Sequence, residues 1–235
     1  MNDGSDPLTQ RYKEICQQIN QLSDKFGQPP PCLLAVSKKQ TSEAIRQLYQ
    51  LGQRHFGESY WQETEQKLNE LGDLDIQWHF IGPLQSNKTR PIAEHMHWVH
   101  SVDREKIARR LSQQRPHQLP PLNVCLQVNL DGETSKSGVS PSQVLPLAKQ
   151  VAAMSRLNLR GLMCIPKRHT DFQQQRHCFM QMTDLKSQLI SAGLHIDTLS
   201  MGMSNDMEAA IAEGSTILRI GTALFGERQK NVTNP

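Results

Sequence analysis

Short apolar runs alternate along the chain with longer stretches whose apolar residues recur every three or four positions. This is the strand-then-helix rhythm of a parallel sheet. Leu8 to Lys25 predicts a helix with Tyr12, Ile15, Ile19 and Leu22 on one stripe, stopped by Gly27 and Pro29-Pro30-Pro31. Cys32 to Val36 predicts the first strand, and Thr41 is placed to cap a helix from Ser42 to Leu51 that Gly52 closes. Further strands are predicted at Arg54–Gly57, Trp78–Gly82, Trp98–Val102, Asn123–Asn129, Leu159–Ile165, Thr198–Met201 and Ile217–Ile220. Helices are predicted between them at 59–71, 87–95, 103–113 (with Asp103 as cap), 141–154 and 172–191.

Eight strands, each followed by a helix or helical tail, predict a single (β/α)8 TIM barrel with an extra N-terminal helix. The rival is an open doubly wound sheet split near Pro116–Pro121. The length of 235 residues fits one such barrel. Residues 8–228 are assigned to it, with 1–7 expected to be a disordered N-terminus and 229–235 a flexible tail.

Composition narrows the class. The net charge is only +3, from 26 Lys and Arg against 23 Asp and Glu, and the basic residues are scattered, which disfavours nucleic acid as a partner. No apolar stretch approaches the ~18 residues of a membrane span, and the first residues lack a signal-peptide core. Five cysteines without a C-x-x-C pair read as reduced thiols, with Cys32, Cys125 and Cys164 as small core hydrophobes. The expectation is a cytoplasmic protein.

In a barrel the chemistry gathers at the C-terminal ends of the strands. Lys38 follows the first strand on the same side as Val36, while Lys39 points away. A lysine partly enclosed there loses hydration, which suits a Schiff base with an aldehyde; a strand-end lysine that snorkels to water is the plainer alternative. The turns at Met201-Gly202-Met203-Ser204 and Gly221-Thr222 follow the seventh and eighth strands, where barrels often bind phosphate; ordinary turns have the same composition. Arg219 interrupts an otherwise apolar strand and requires a carboxylate or a ligand. An amine, a phosphate cradle and a permanent cation together describe a pyridoxal phosphate pocket. Nine histidines, among them His95, His97 and His100, fit no common zinc signature, so no metal is assigned; His79 is placed either to line a cofactor ring or to pack within the barrel.

At these residues the chain resembles the pyridoxal phosphate homeostasis protein family, single-domain proteins similar to the barrel half of bacterial alanine racemase. The resemblance is carried by Ala35-Val36-Ser37-Lys38, Phe56-Gly57-Glu58, the run from Trp78 to Lys88, Ser101-Val102-Asp103, Ser135-Lys136-Ser137-Gly138, Gly161 to Pro166, Leu199 to Asp206, and Arg219-Ile220-Gly221-Thr222. It implies that Lys38 holds pyridoxal 5'-phosphate as an internal aldimine, that Ser204, Gly221 and Thr222 cradle the phosphate, and that Arg219 faces the pyridine nitrogen. The family has Asn where this chain has Ser59, so one polar contact near the cofactor is not carried over. Lys39 stands where threonine is more usual.

Arginine does not readily give a proton to the pyridine nitrogen, so the ring remains a weak electron sink. A racemase also needs a second acid/base, supplied in alanine racemase by a second domain and a partner subunit. No such domain is expected within this length, and Tyr12, Tyr49 and Tyr60 all fall in predicted helices. The expectation is therefore a non-catalytic binding protein in vitamin B6 homeostasis, with no catalytic residue assigned. Apo-enzymes or amino acids are its candidate partners, and a monomer is the expected state. The alternatives are a weak racemase-like or aldimine-exchange enzyme and, more distantly, a phosphate-binding barrel enzyme without this cofactor.

Overall fold

The computed structural model describes residues 6–132 and 137–226. Its strands are β1 (Cys32–Val36), β2 (His55–Glu58), β3 (Gln77–Phe80), β4 (Trp98–Val102), β5 (Leu122–Val128), β6 (Leu157–Cys164), β7 (Thr198–Ser200) and β8 (Ile217–Ile220). Each pairs in parallel with the next, and β8 returns to β1 with Leu34 opposite Arg219 and Ala35 opposite Ile220. That closure gives the expected eight-stranded barrel and removes the open-sheet alternative. Pro116–Pro121 is a pinned loop within it, since Arg115 Nε donates to the Pro120 carbonyl at 2.8 Å and Arg156 Nη2 to that of Pro116 at 2.7 Å.

The helices are α1 (Pro7–Phe26), α2 (Ser42–Gln50), α3 (Trp61–Glu70), α4 (Thr89–His95), α5 (Glu105–Gln114), α6 (Pro141–Ala152), α7 (Phe172–Ser191), α8 (Met207–Ala212) and α9 (Thr222–Phe225). Local chemistry sets their ends. Asp6 accepts the Leu8 and Thr9 amides at the start of α1, Pro7 occupies its first turn, and Gly27 closes it at φ 62. Thr41 caps α2 as expected, accepting the Ala44 amide at 3.2 Å. Asp103 does not cap α5: Arg104 holds that position, and the Asp103 carboxylate pairs with the Arg104 guanidinium at 2.6 Å instead. The helix after β8 is only four residues long, and α1 packs against α2, α8 and α9 to complete the outer ring.

The hydrophobic core lies between strands and helices. Leu33, Ala35, Phe56, Trp78, Phe80, Val99, Leu126, Leu199, Leu218 and Ile220 join the buried helix faces in one cluster. The opposite strand face, towards the barrel axis, carries His55, His79, His100, Ser200 and Arg219 joined by hydrogen bonds. Among the described residues no helix is long and apolar enough to cross a membrane. The ends expected to be disordered lie mostly outside the described residues, as do Ser135 and Lys136 of the quoted motif.

Candidate functional site

The C-terminal ends of β1 and β8 meet side by side. Lys38 sits half-buried in the turn that ends β1, and Gly221 follows β8 with its Cα against Val36, where a methyl group would lie 3.5 Å from Val36 Cβ. Thr222 opens α9 and is exposed. The β7 turn joins them through the Arg219 amide, which donates to the Gly202 carbonyl at 3.0 Å. Ser204 lies exposed in that turn. An open depression of about 190 Å³ on the same rim is lined by Ile81, Pro83, Gln127, Val128, Asn129, Ser137 and Ile165.

Gly202 has φ +92, and a Cβ there would come within 2.5 Å of Ala210 Cβ and 2.7 Å of Leu218 Cδ2. Only glycine accommodates both the backbone and this approach of the turn to α8 and β8. The turn is braced by Asp206, whose carboxylate accepts the Met203 amide at 2.5 Å. Burial raises the Asp206 pKa, while the Met203 amide and the Arg219 charge oppose the rise.

Arg219 is 4 % exposed and finds neither a carboxylate nor another ionised partner in hydrogen-bond contact. Of the two partners expected for it, a carboxylate is not the one found among the described residues. Its Nη1 donates to the Ser200 carbonyl (2.6 Å) and hydroxyl (2.8 Å), and its Nη2 donates to the Cys164 carbonyl (2.7 Å). Of its five N–H groups, Nε–H and one on Nη2 meet no acceptor among the described residues. His79 is fully enclosed and hydrogen-bonded between two other histidines, so packing, not ring-lining, is its place.

Three residues outside the expected set hold the Lys38 turn. Glu58, fully buried at the end of β2, accepts Ser37 Oγ–H at 2.6 Å and Lys67 Nζ–H at 2.8 Å through Oε1. Lys67, on α3, also donates to the Ser37 carbonyl at 2.7 Å and to Glu63 at 2.6 Å. Glu63 in turn accepts the amide of Lys39, whose φ of 60 is the only positive value at a non-glycine among the described residues. Burial raises the Glu58 pKa, with the Lys67 charge the largest opposing influence. The signals were a glutamate inside a strand motif and a Glu63/Lys67 pair at helical i,i+4 spacing.

Tyr60 also departs from expectation. It precedes α3 in extended conformation, two residues past β2, and is 52 % exposed on the rim. A tyrosine therefore does stand at a strand end.

The family profile described as "Alanine racemase, N-terminal domain" matches residues 11–229. The chain belongs to this family. Among its relatives, the Pyridoxal phosphate homeostasis protein of Pseudomonas aeruginosa is 52% identical over 223 residues, covering 94% of this chain and 96% of that protein. The protein of the same name from Escherichia coli K12 is 48% identical over 233 residues, covering 97% and 98%. In three dimensions the chain is similar to PipY of Synechococcus elongatus with PLP bound, at 38% identity and a TM-score of 0.83, covering 93% of this chain and 100% of that one.

Proposed function

We propose that this protein binds pyridoxal 5'-phosphate, holds it covalently through Lys38, and takes part in intracellular homeostasis of the cofactor without turning over a substrate. The observation that carries this reading is Arg219: a buried cation with neutral oxygen partners and two N–H groups unmet, on the strand that pairs with the strand leading to Lys38. The donor set fits the group. Lys38 offers an amine, Arg219 a charged donor for a ring nitrogen, and Ser204, Thr222 and Gly221 hydroxyl and backbone donors for a phosphate. The relatives named above and the PLP-bound PipY structure support it.

When bound, the cofactor supplies an aldehyde carbon and a conjugated ring. The chain's own residues do the holding. Glu58, Glu63 and Lys67 fix the backbone of the Lys38 turn, Gly202 and Asp206 shape the β7 turn, and Arg219 keeps the ring nitrogen unprotonated because it does not release its proton. An unprotonated ring favours storage over carbanion chemistry. The protein acts within residues 8–228 as a cytoplasmic monomer, with apo-enzymes or free amino acids as recipients.

Purified protein incubated with pyridoxal 5'-phosphate should turn yellow, and borohydride reduction should fix the added mass on Lys38. Lys38→Ala should lose that adduct at this position. A colourless wild type would sink the reading. A second reading, weak racemase-like turnover, is favoured by the exposed Tyr60 hydroxyl on the rim. Turnover of a chiral amino acid by the loaded protein, abolished in Tyr60→Phe, would establish it over the carrier.

A further inference from the structure

The barrel axis holds a row of polar side chains to which the binding site assigns no task. His55 on β2, His79 on β3 and His100 on β4 follow one another across the interior. His55 Nδ1 lies 2.9 Å from His79 Nε2, and His79 Nδ1 lies 2.9 Å from His100 Nε2. His100 Nδ1 is 2.8 Å from Ser200 Oγ on β7, the same oxygen that receives Arg219 Nη1. His79 also stacks on Trp98, with ring centroids 5.4 Å apart and planes 5° from parallel. His79 and His100 are buried, and His55 is half-buried at the first residue of β2.

The chemistry of the members fixes the direction of the row. A guanidinium only donates, so Arg219 takes a lone pair of Ser200 Oγ. Ser200 Oγ has a second lone pair, but its own hydrogen meets no other acceptor among the described residues, so it goes to His100 Nδ1. His100 must carry its proton on Nε2, where it faces His79 Nδ1, and the same reasoning puts the His79 proton on Nε2, facing His55. Burial keeps the rings neutral: it holds His79 well below the ordinary histidine value and, with the Arg219 charge, brings His100 down to about 3. Every acceptor end therefore faces Arg219 and every donor end faces away, so each bond polarises the next.

We infer that Ser200, His100 and His79 are positioning residues for Arg219: a tautomer-locked row that fixes the rotation of the guanidinium and so keeps an unmet N–H of its own available to the ring nitrogen of the cofactor. This rests on the pyridoxal phosphate reading. It assigns a function to an axis that a merely filled barrel would pack with aliphatic side chains.

The test uses the whole chain in two states. In protein without cofactor, nitrogen NMR should show neutral Nε2–H rings at His79 and His100 and separate, slowly exchanging Nη signals for Arg219. Ser200→Ala, a small change that preserves packing, should merge those Arg219 signals; Ser200→Thr should restore them. His100→Asn, which keeps an acceptor towards Ser200, should retain them in part. In loaded protein, Ser200→Ala should shift the visible absorption maximum and weaken cofactor retention roughly tenfold, the usual loss for one charge-assisted hydrogen bond, with Ser200→Thr restoring both. Unchanged Arg219 signals in Ser200→Ala, or an Nδ1–H ring at His100 in the wild type, would overturn the row. A wild type that takes up no pyridoxal phosphate overturns the binding reading instead, and the Arg219 signals of the unloaded protein still judge the row.

Discussion

Glu58 is the residue on which the lysine turn depends most. Its carboxylate is fully buried, Oε1 is shared by Ser37 and Lys67, and Oε2 meets no hydrogen-bond partner among the described residues. A buried charge so placed is tolerable only while its counter-charge remains. Lys67→Met should therefore destabilise the fold by about 3–5 kcal/mol, read as a lower urea midpoint at constant m-value. Pairing it with Glu58→Gln should recover part of the loss, because the uncompensated charge is gone. Lys38 was legible from sequence, as the lysine ending an apolar strand. Its supports were not, since Ser37, Glu58 and Lys67 are spread over 31 positions and only the β1–β2 pairing and the docking of α3 bring them together.

Among elements, the turn between β7 and α8 is the most constrained. Gly202→Ala would force a side chain into φ +92 and push its Cβ to within 2.5 Å of Ala210 and 2.7 Å of Leu218. The expected cost is about 2–4 kcal/mol, from left-handed strain plus overpacking, measured by denaturant unfolding. On the function proposed above, cofactor affinity should fall with it, since this turn carries Ser204. The helix α9 depends on a distant element. Arg11 on α1 donates to the carbonyls of Leu224 at 2.8 Å and Phe225 at 3.1 Å. Arg11→Ala should cost about 1.5–3 kcal/mol, the worth of hydrogen bonds to a charged donor, and loosen the end of the chain that presents Thr222. Helix limits were readable because caps and stops are local: Thr41, Gly27 and the proline run each act within a few residues. Asp103 misled because a carboxylate before a helix suits a cap, yet here it pairs with the neighbouring Arg104 and the helix begins one residue later.

For the molecule as a whole, the polar axis links stability to pH. His79 and His100 stay neutral in the fold well below 6.5, whereas in the unfolded chain they take up protons at about 6.5. Between the lowered folded values and 6.5 the unfolded state holds more protons, so stability falls as pH drops through that window and is fully present above it. Each such histidine contributes a slope of up to about 1.4 kcal/mol per pH unit. Urea midpoints should therefore decline steadily from pH 6.5 downwards, and His100→Asn should show a shallower decline than the wild type.

The sequence by itself determined the architecture. Eight apolar runs and the helices between them follow from residue periodicity and predict a barrel, while the β8–β1 pairing decided it against an open sheet. It also placed Lys38, Ser204, Gly221 and Thr222 after strand ends and Arg219 within the last strand, because strand limits are set by local composition. The tertiary structure decided what surrounds them. Which face of each strand looks inward depends on closure and register, so the row from His55 to Arg219 exists only once β2, β3, β4, β7 and β8 share one axis. The same closure gave Arg219 neutral oxygens as partners. Hydrophobic pattern specifies burial, but the pairing of buried polar groups depends on distances between residues up to 100 or more positions apart, and only the folded chain sets those distances.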